Sequence, residues 1–173
     1  MNDIMNLFSL NGKNAVVTGA NTGLGQGICV ALAAAGAHVF GVARRSCDET
    51  AAKIAAEGGQ FTEVRADLSD FAAIDSILEQ VHAHADRIDI LVNNAGITKD
   101  GLMMRMSEAQ WDAVLNVNLK SAFNFIHACT PVMMKQRAGN IINMSSVVGV
   151  HGNAGQSNYS ASKAGMIGLA KSV

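Results

Sequence analysis

Short apolar runs alternate with longer amphipathic segments along most of this chain. The apolar runs predict five buried strands, at residues 13–18, 37–43, 60–66, 89–92 and 139–144. Between them, apolar side chains recur with the three- and four-residue spacing of a helix face, most clearly at residues 48–57, 71–84 and about 107–135. Strands that alternate with helices are typical of a parallel sheet with helices on both faces. We therefore predict one α/β domain, residues 1–173, built on a doubly wound parallel sheet.

The composition agrees with such a domain and excludes several other classes of protein. Hydrophobic residues make up 49% of the 173 residues and charged residues 16%, which suits buried strands and not a disordered chain. The formal net charge is -1, from 13 basic and 14 acidic residues. Such a balance gives no electrostatic footprint for nucleic acid or an anionic membrane, so we predict neither partner.

Cysteine usage and the N-terminal segment favour a cytoplasmic protein. Cys29, Cys47 and Cys129 are widely spaced and include no CxxC pair, so they indicate neither a disulfide framework nor a zinc site. Residues 1–10 lack the basic segment followed by an apolar one that marks a secretory signal. No apolar run approaches the length of a membrane span.

A glycine-rich turn joins the first predicted strand to the helix that follows it. Its sequence is Gly19-Ala20-Asn21-Thr22-Gly23-Leu24-Gly25. Glycines let a backbone approach a pyrophosphate closely, and the N-terminus of the following helix offers unpaired N–H groups to it. The spacing differs from the commoner G-x-G-x-x-G, and a tight strand-to-helix turn without a ligand is the alternative. We predict a phosphate cradle here.

The end of the second predicted strand indicates which dinucleotide this cradle binds. Proteins that bind NAD usually carry an acid roughly twenty residues beyond the glycines, where this chain has Ala43 followed by Arg44 and Arg45. An arginine at this place accommodates a 2′-phosphate, which favours NADP(H), with NAD(H) as the second choice. Alternatively, both arginines are solvated loop charges.

Polar residues also follow the third and fourth predicted strands. Asp67-Leu68 ends the third strand, where the acid either caps the next helix or accepts a hydrogen bond from an adenine amino group. Asn93-Asn94-Ala95-Gly96 follows the fourth strand and is predicted to brace the sheet and line a cleft, although these are also ordinary turn residues. Ser107 and Gln110 predict a capping box at the start of the long helix. Within that helix, Asn118 is a poor helix residue that bends the helix or binds water.

The strongest candidate for chemistry is a tyrosine and a lysine one helical turn apart. Tyr159 and Lys163 share one face of the last predicted helix, which we expect to begin near Tyr159. An ammonium beside a phenol favours the phenolate, so the pair suits proton transfer. Ser146 ends the fifth strand, where its hydroxyl can contact a ligand. The intervening residues 147–157 are predicted to form a loop over the cleft, with His151 as an ordinary loop residue.

These motifs together resemble those of the short-chain dehydrogenase/reductase family, in the same order along the whole chain. The resemblance implies a Rossmann-type fold in which Tyr159 is the general acid/base and Ser146 orients the substrate carbonyl. It further implies that Lys163 binds the nicotinamide ribose and favours the phenolate, and that Asn118 holds a relay water. The cofactor-binding residues that it implies are Gly19, Asn21, Thr22, Gly23, Leu24, Gly25, Arg44, Asp67, Leu68, Asn94, Ala95, Gly96, Tyr159 and Lys163.

The two halves of the chain resemble different members of this family. Residues 97–100, 102–106, 146–149 and 152–159, together with Trp111, are similar to those of 3-oxoacyl-acyl-carrier-protein reductases of fatty acid synthesis. Residues 7–10 and 18–27 are similar to those of gluconate and deoxygluconate dehydrogenases. We give the second half more weight because it lines the substrate side. Reduction of a 3-oxoacyl thioester is therefore expected, with sugar-acid dehydrogenation and nucleotide binding without turnover as alternatives.

One departure from the family concerns the end of the chain. Members of the family continue past the catalytic helix with two more strands and a substrate-covering loop, whereas this chain stops at Val173. We therefore expect a fold truncated after the fifth strand of the sheet and the catalytic helix. We also expect reduced catalytic competence. Relatives assemble as dimers or tetramers, so a homo-oligomer is also expected.

Overall fold

The computed structural model describes residues 6–70 and 73–173, and it consists of alternating strands and helices. In chain order the elements are β1 (Asn14–Thr18), α1 (Gly23–Ala34), β2 (His38–Ala43), α2 (Asp48–Ala56), β3 (Gln60–Arg65), α3 (Ala73–His82), β4 (Ile90–Asn93), a 3₁₀ turn (Met103–Arg105), α4 (Glu108–Leu115), a π-helical turn (Asn116–Lys120), α5 (Ser121–Gln136), β5 (Asn140–Asn143), α6 (Val148–His151) and α7 (Ser157–Ser172). The predicted start of the third helix, at Phe71, lies outside the described residues. All five predicted strands are confirmed, each within two residues at either end.

The five strands form one parallel sheet in the order β3-β2-β1-β4-β5. Val16 of β1 lies opposite Phe40 of β2 on one side and Leu91 of β4 on the other. The chain moves outward from β1 to β3 and then returns to place β4 beside β1. Connections that diverge in this way leave a crevice at the carboxyl ends of the two central strands, where α/β proteins bind ligands. The predicted doubly wound sheet is confirmed.

Apolar side chains cover both faces of the sheet. Val16 and Leu91 belong to a core that includes Phe125 of α5, whereas the neighbouring Val17 and Val92 belong to a second core on the other face. Burial on both faces explains why β1, β2 and β4 are apolar along nearly their whole length and do not alternate between apolar and polar residues. The carboxyl ends of the strands are thereby held in fixed positions for the loops that they carry.

The long predicted helix is present but interrupted. Its capping box is confirmed, since Gln110 N donates to Ser107 Oγ over 3.2 Å and Ser107 N donates to Gln110 Oε1 over 2.9 Å. The predicted irregularity at Asn118 takes the form of the π-helical turn between α4 and α5. Such a turn adds a residue to the helix and often marks a functional position.

The predicted loop at residues 147–157 is wrong in part. Val148–His151 forms the short helix α6, whose first turn is held by Val148 N donating to Ser146 Oγ over 3.3 Å. Gly152 ends it with a φ of 74°, a left-handed conformation that favours glycine. The last helix begins at Ser157, two residues before the predicted Tyr159.

The three cysteines lie in the interior of the domain. Cys29, Cys47 and Cys129 are free and buried, and burial raises the pKa of Cys29 and Cys129 to about 12. They therefore remain neutral thiols that pack in the core. Within residues 6–70 and 73–173, no helix has both the length and the apolar character that a membrane crossing requires.

Candidate active site at the carboxyl edge of the sheet

A cleft of about 860 Å³ lies at the carboxyl edge of the sheet, between the loops that follow β1 to β4 and the end of α4. It brings together most of the cofactor-binding residues expected from the sequence, namely Gly19, Asn21, Thr22, Leu24, Gly25, Arg44, Asp67, Leu68, Asn94, Ala95 and Gly96. Gly23 instead shapes the turn, with a φ of 59°. The volume is that of an ordinary cofactor or ligand site.

The glycine turn brings the start of α1 against the ends of β1 and β4. A Cβ atom on Gly25 would lie 2.1 Å from Gly19 O and 2.6 Å from Asn94 Nδ2, so only glycine fits there without a shift. The side chain of Thr22, at the N-cap of α1, makes no capping hydrogen bond. Because the first N–H groups of a helix lack intrahelical partners, this turn offers donors and a partial positive charge to an anion in the cleft.

Charged side chains that follow the adjacent strands β2 and β3 lie beside each other in the lining of the cleft. Arg44 Nη1 lies 4.0 Å from Asp67 Oδ2, with both side chains at least half exposed. Asp67 Oδ1 accepts hydrogen bonds from Ser69 Oγ and Ser69 N, which lower the pKa of the Asp67 carboxyl. Asp67 thus stabilises the turn at residues 67–70 that precedes α3, whereas capping of α3 itself and acceptance from an adenine amino group stay predictions. An exposed ion pair of this length contributes little, so Arg44 remains able to bind another anion.

Hydrogen bonds to Thr18 and Asn143 brace the end of β4 and the residues that follow it. The backbone N–H groups of Asn94 and Ala95 each donate to Thr18 Oγ1 over 3.0 Å, and Asn94 Nδ2 donates to Thr18 O over 3.0 Å. Asn93 Nδ2 donates to Asn143 Oδ1 of β5 over 2.8 Å. The predicted bracing by Asn93 and Asn94 is confirmed. The sequence did not single out Thr18, whose only signal is a hydroxyl at the end of a buried strand.

Asn118 is fully buried and bonded to two other segments. Its Oδ1 accepts from Ile97 N over 2.8 Å, and its Nδ2 donates to Ile97 O and to Ser162 Oγ over 3.0 and 3.1 Å. Asn118 thus connects the loop after β4 to α7. Both of its amide N–H groups are used by the protein, which leaves one lone pair of Oδ1 for a water.

Lys163 and Tyr159 lie on one face of α7, as predicted. Lys163 Nζ is 5.7 Å from the centroid of the Tyr159 ring and donates to Met144 O over 2.6 Å. Burial lowers the pKa of Lys163, which is 4% exposed. In the part of the chain that the structure describes, no carboxylate lies within salt-bridge distance of Lys163. An ammonium in this position retains N–H groups for a hydroxyl-bearing ligand.

Gly96 links the cleft to these side chains. It lines the cleft, and a Cβ atom placed on it would lie 3.4 Å from Asn118 Oδ1 and 3.7 Å from Lys163 Nζ. Ser145 Oγ donates to Lys163 O over 2.8 Å, which attaches the end of β5 to α7 beside Ser146. The end of the cleft at Gly96 therefore adjoins the segments that carry the four predicted catalytic residues.

The family to which the chain belongs follows from comparison with known proteins. Residues 13–173 match the model of the family described as short chain dehydrogenase. The chain belongs to the short-chain dehydrogenase family. The predicted Rossmann-type fold is confirmed by the match with solved structures of this family.

Relatives in this family share close to half of the sequence. The chain is 44% identical over 163 residues to a 3-oxoacyl-[acyl-carrier-protein] reductase of Staphylococcus aureus, a match that covers 92% of this chain and 66% of that protein. It is 46% identical over 168 residues to the enzyme of the same name from Salmonella typhimurium, covering 96% of this chain and 68% of that one. The chain thus spans about two thirds of the length of these curated relatives.

Two solved structures share the fold. A proposed short-chain alcohol dehydrogenase from Sinorhizobium meliloti superposes with a TM-score of 0.91 at 37% identity, over 95% of this chain and 66% of that one. A proposed 2-deoxy-d-gluconate 3-dehydrogenase from Agrobacterium tumefaciens, with bound NADP, superposes with a TM-score of 0.85 at 43% identity, over 94% and 64%. The two halves of the sequence resemble 3-oxoacyl-acyl-carrier-protein reductases and gluconate or deoxygluconate dehydrogenases, and proteins named as 3-oxoacyl reductases and as a deoxygluconate dehydrogenase are both among these relatives.

Proposed function

We propose that this protein is an NADPH-preferring oxidoreductase that reduces a 3-oxoacyl thioester, carried on acyl carrier protein, to the 3-hydroxyacyl form. The observation that supports the proposal best is the position of Gly96, which lies in a cofactor-sized cleft and next to both Asn118 and Lys163. The curated relatives at 44% and 46% identity are named as 3-oxoacyl-[acyl-carrier-protein] reductases, which favours this substrate class.

The side chains around the cleft fit a nicotinamide dinucleotide. The open first turn of α1 matches a pyrophosphate, and the exposed guanidinium of Arg44 matches a 2′-phosphate. The buried ammonium of Lys163 matches ribose hydroxyls, whose oxygens can accept hydrogen bonds from its remaining N–H groups. The relative from Agrobacterium tumefaciens was solved with NADP bound, which supports the choice of NADP(H) over NAD(H).

The proposed chemistry divides between the cofactor and the protein. NADPH supplies a hydride to the carbonyl carbon when it is bound. The Tyr159 hydroxyl gives its proton to the carbonyl oxygen, while the Ser146 hydroxyl donates a hydrogen bond to the same oxygen. The Lys163 ammonium stabilises the phenolate that Tyr159 becomes. Asn118 holds the water that returns a proton to Tyr159, through the lone pair of Oδ1 that Ile97 N does not use.

Two other functions have support of their own. The likeness to a proposed 2-deoxy-d-gluconate 3-dehydrogenase favours a sugar-acid substrate, on which the same residues would act. Nucleotide binding without turnover is the second alternative, for which the first strands and the glycine turn would suffice.

A steady-state assay separates these three functions. With NADPH, we expect kcat/KM for a 3-oxoacyl thioester to exceed that for a keto sugar acid by at least an order of magnitude, as expected for a site that binds the thioester arm. The opposite ratio would assign the protein to sugar-acid metabolism. NADPH binding detected by fluorescence, together with no turnover of either substrate, would establish the binding module.

Replacing Arg44 by aspartate is expected to move the cofactor preference from NADPH toward NADH. The change removes a partner of the 2′-phosphate and adds a carboxylate that repels it, next to the existing carboxylate of Asp67. We expect the ratio of kcat/KM for NADPH to that for NADH to fall at least tenfold.

Arg65→Asp is the matched control for this substitution. Arg65 ends β3, is also exposed, and bonds to Glu63, so the substitution changes the net charge equally on a residue that does not line the cleft. The control should keep the parent's cofactor ratio. If Arg44→Asp also kept it, Arg44 would be an ordinary solvated charge and the assignment of NADPH would be wrong.

We also propose that the protein is a single-domain homo-oligomer, a dimer or tetramer, in the cytoplasm. The two cores share the same strands, which supports one domain. Trp111, Phe123 and Met134 of α4 and α5 are 36%, 49% and 73% exposed, and burial of these side chains against a second subunit would remove apolar surface from water. Light scattering on the assayed preparation, with and without NADPH, gives the molar mass that tests the assembly.

A further inference from the structure

Two buried side chains hold the backbone of Tyr159 at both of its polar atoms. Tyr159 N donates to Asn158 Oδ1 over 2.7 Å, and Ser162 Oγ donates to Tyr159 O over 2.8 Å. Asn158 and Ser162 are both fully buried. Tyr159 lies in the first turn of α7, where backbone N–H groups have no intrahelical partner, so Asn158 supplies one that this turn lacks.

The other end of the Asn158 amide is bonded outside α7. Asn158 Nδ2 donates to Lys99 O over 3.0 Å and to Gln110 O over 3.2 Å. Lys99 belongs to the loop after β4 and lines the cleft, whereas Gln110 belongs to α4. One side chain thus connects the cleft wall, α4 and the backbone of Tyr159.

Two neighbouring hydrogen bonds also join the loop after β4 to the segment that leads into α7. Gln156 Nε2 donates to Asp100 Oδ2 over 3.0 Å, and Gly101 N donates to Gly155 O over 2.8 Å. Both bonds involve residues that precede Asn158 in the sequence. Asn158 is therefore the bonded residue nearest to Tyr159. An amide suits this position because it accepts at one atom and donates twice at the other.

We propose that Asn158 is a positioning residue for Tyr159, which fixes the first turn of α7 to the cleft wall and so sets where the tyrosine hydroxyl meets the substrate carbonyl. The inference rests on the proposed role of Tyr159 as proton donor. Proton transfer requires a donor within hydrogen-bond reach of the reacting oxygen, and a displacement of about 1 Å costs up to a hundredfold in rate. Asn158 contacts neither substrate nor cofactor in this assignment and acts only through Tyr159.

Asn158→Ala and Asn158→Ser test the proposal. Alanine removes all three hydrogen bonds, whereas the shorter serine keeps a polar atom near Tyr159 N but does not reach Lys99 O or Gln110 O. We expect both variants to lower kcat with NADPH and a 3-oxoacyl thioester at least tenfold and to leave KM for NADPH within about threefold. We also expect the pH at which the rate falls to shift, because the environment of the Tyr159 hydroxyl changes.

Asn124→Ala is the matched control. Asn124 is a similarly buried asparagine in the first turn of α5, and its Oδ1 has no hydrogen-bond partner among the described residues. A residue that only stabilises the fold lowers the melting temperature without changing the kcat or the pH profile of the folded protein. We therefore expect the control to keep both, measured well below its melting temperature.

One outcome would overturn the inference, and it differs from a failure of the proposed function. If Asn158→Ala or Asn158→Ser folds and keeps the parent's kcat and pH profile, Asn158 is structural only. If Asn158→Ala does not fold, the serine variant alone decides in the same way. An active Tyr159→Phe variant would instead remove the proposed function itself, whatever the result at Asn158.

Discussion

Replacing Tyr159 by phenylalanine is expected to lower kcat at least a hundredfold while the affinity for NADPH changes by no more than about twofold. A positioned general acid contributes roughly two to four orders of magnitude in rate. Phenylalanine keeps the ring that lies 5.7 Å from Lys163 Nζ, so the packing of α7 and the position of the ammonium are retained. The loss should therefore appear in kcat and kcat/KM together and not in cofactor binding.

The composition of the chain makes this experiment unusually direct. Tyr159 is the single tyrosine in the sequence, so a change in ultraviolet absorbance on phenolate formation reports this residue alone and is absent from the variant. Ser160→Ala is the control, since Ser160 is the next residue of α7 and its buried Oγ has no hydrogen-bond partner among the described residues. Removing an unpaired buried hydroxyl is nearly neutral, so this variant should keep the parent's kcat. A Tyr159→Phe enzyme with more than a tenth of that rate would refute the assignment.

The positions of the cleft residues could be predicted because they depend on local order along the chain. The apolar runs of β1, β2 and β4 are buried on both faces of one sheet, which leaves little freedom in where these strands end. Arg44 and Asp67 follow the neighbouring strands β2 and β3, so the carboxyl ends of adjacent parallel strands place them together. The glycine turn could be predicted equally well, since it lies between a strand and a helix that both have a clear hydrophobic pattern.

The contacts around Asn118 and Asn158 could not be predicted in the same way. Asn118 bonds to Ile97 and Ser162, and Asn158 bonds to Lys99, all of them distant along the chain. Such partners depend on how α7 packs against α4 and the loop after β4, which no local pattern specifies. Asn158 also lies in a stretch rich in glycine, asparagine and serine that reads as a loop, so the buried end of the helix was indistinguishable from an exposed turn. The π-helical turn at Asn118 has the same origin in tertiary packing.

A methyl group on Gly25 should have a large effect on both the stability and the cofactor affinity. The added Cβ atom would lie 2.1 Å from Gly19 O and 2.8 Å from Gly19 C, which are backbone atoms of the turn and cannot rotate away. It would also lie 2.6 Å from Asn94 Nδ2, whose bond to Thr18 O braces the end of β4. Overpacking of this kind costs about 1–3 kcal/mol, and we expect Gly25→Ala to lower the free energy of unfolding by at least about 2 kcal/mol.

The same displacement should weaken cofactor binding. Moving the start of α1 away from Gly19 shifts the open N–H groups that we assign to the pyrophosphate, so the Kd for NADPH should rise at least tenfold. A domain of this size changes its Tm by roughly 2–4 °C per kcal/mol, which makes the stability loss readily measurable by calorimetry without ligand. Binding is measured separately, at a temperature where the variant is folded.

Gly27→Ala provides the control in the same helix. An identical methyl group on Gly27 meets no atom within 4 Å, and the residue is exposed in the second turn of α1. Alanine is favoured over glycine inside a helix by about 0.5–1 kcal/mol, so this variant should be slightly more stable than the parent and should bind NADPH equally well. The two substitutions are therefore expected to change the Tm in opposite directions. If Gly25→Ala kept the parent's Tm and Kd, the close approach of α1 to Gly19 would not be what builds the phosphate site.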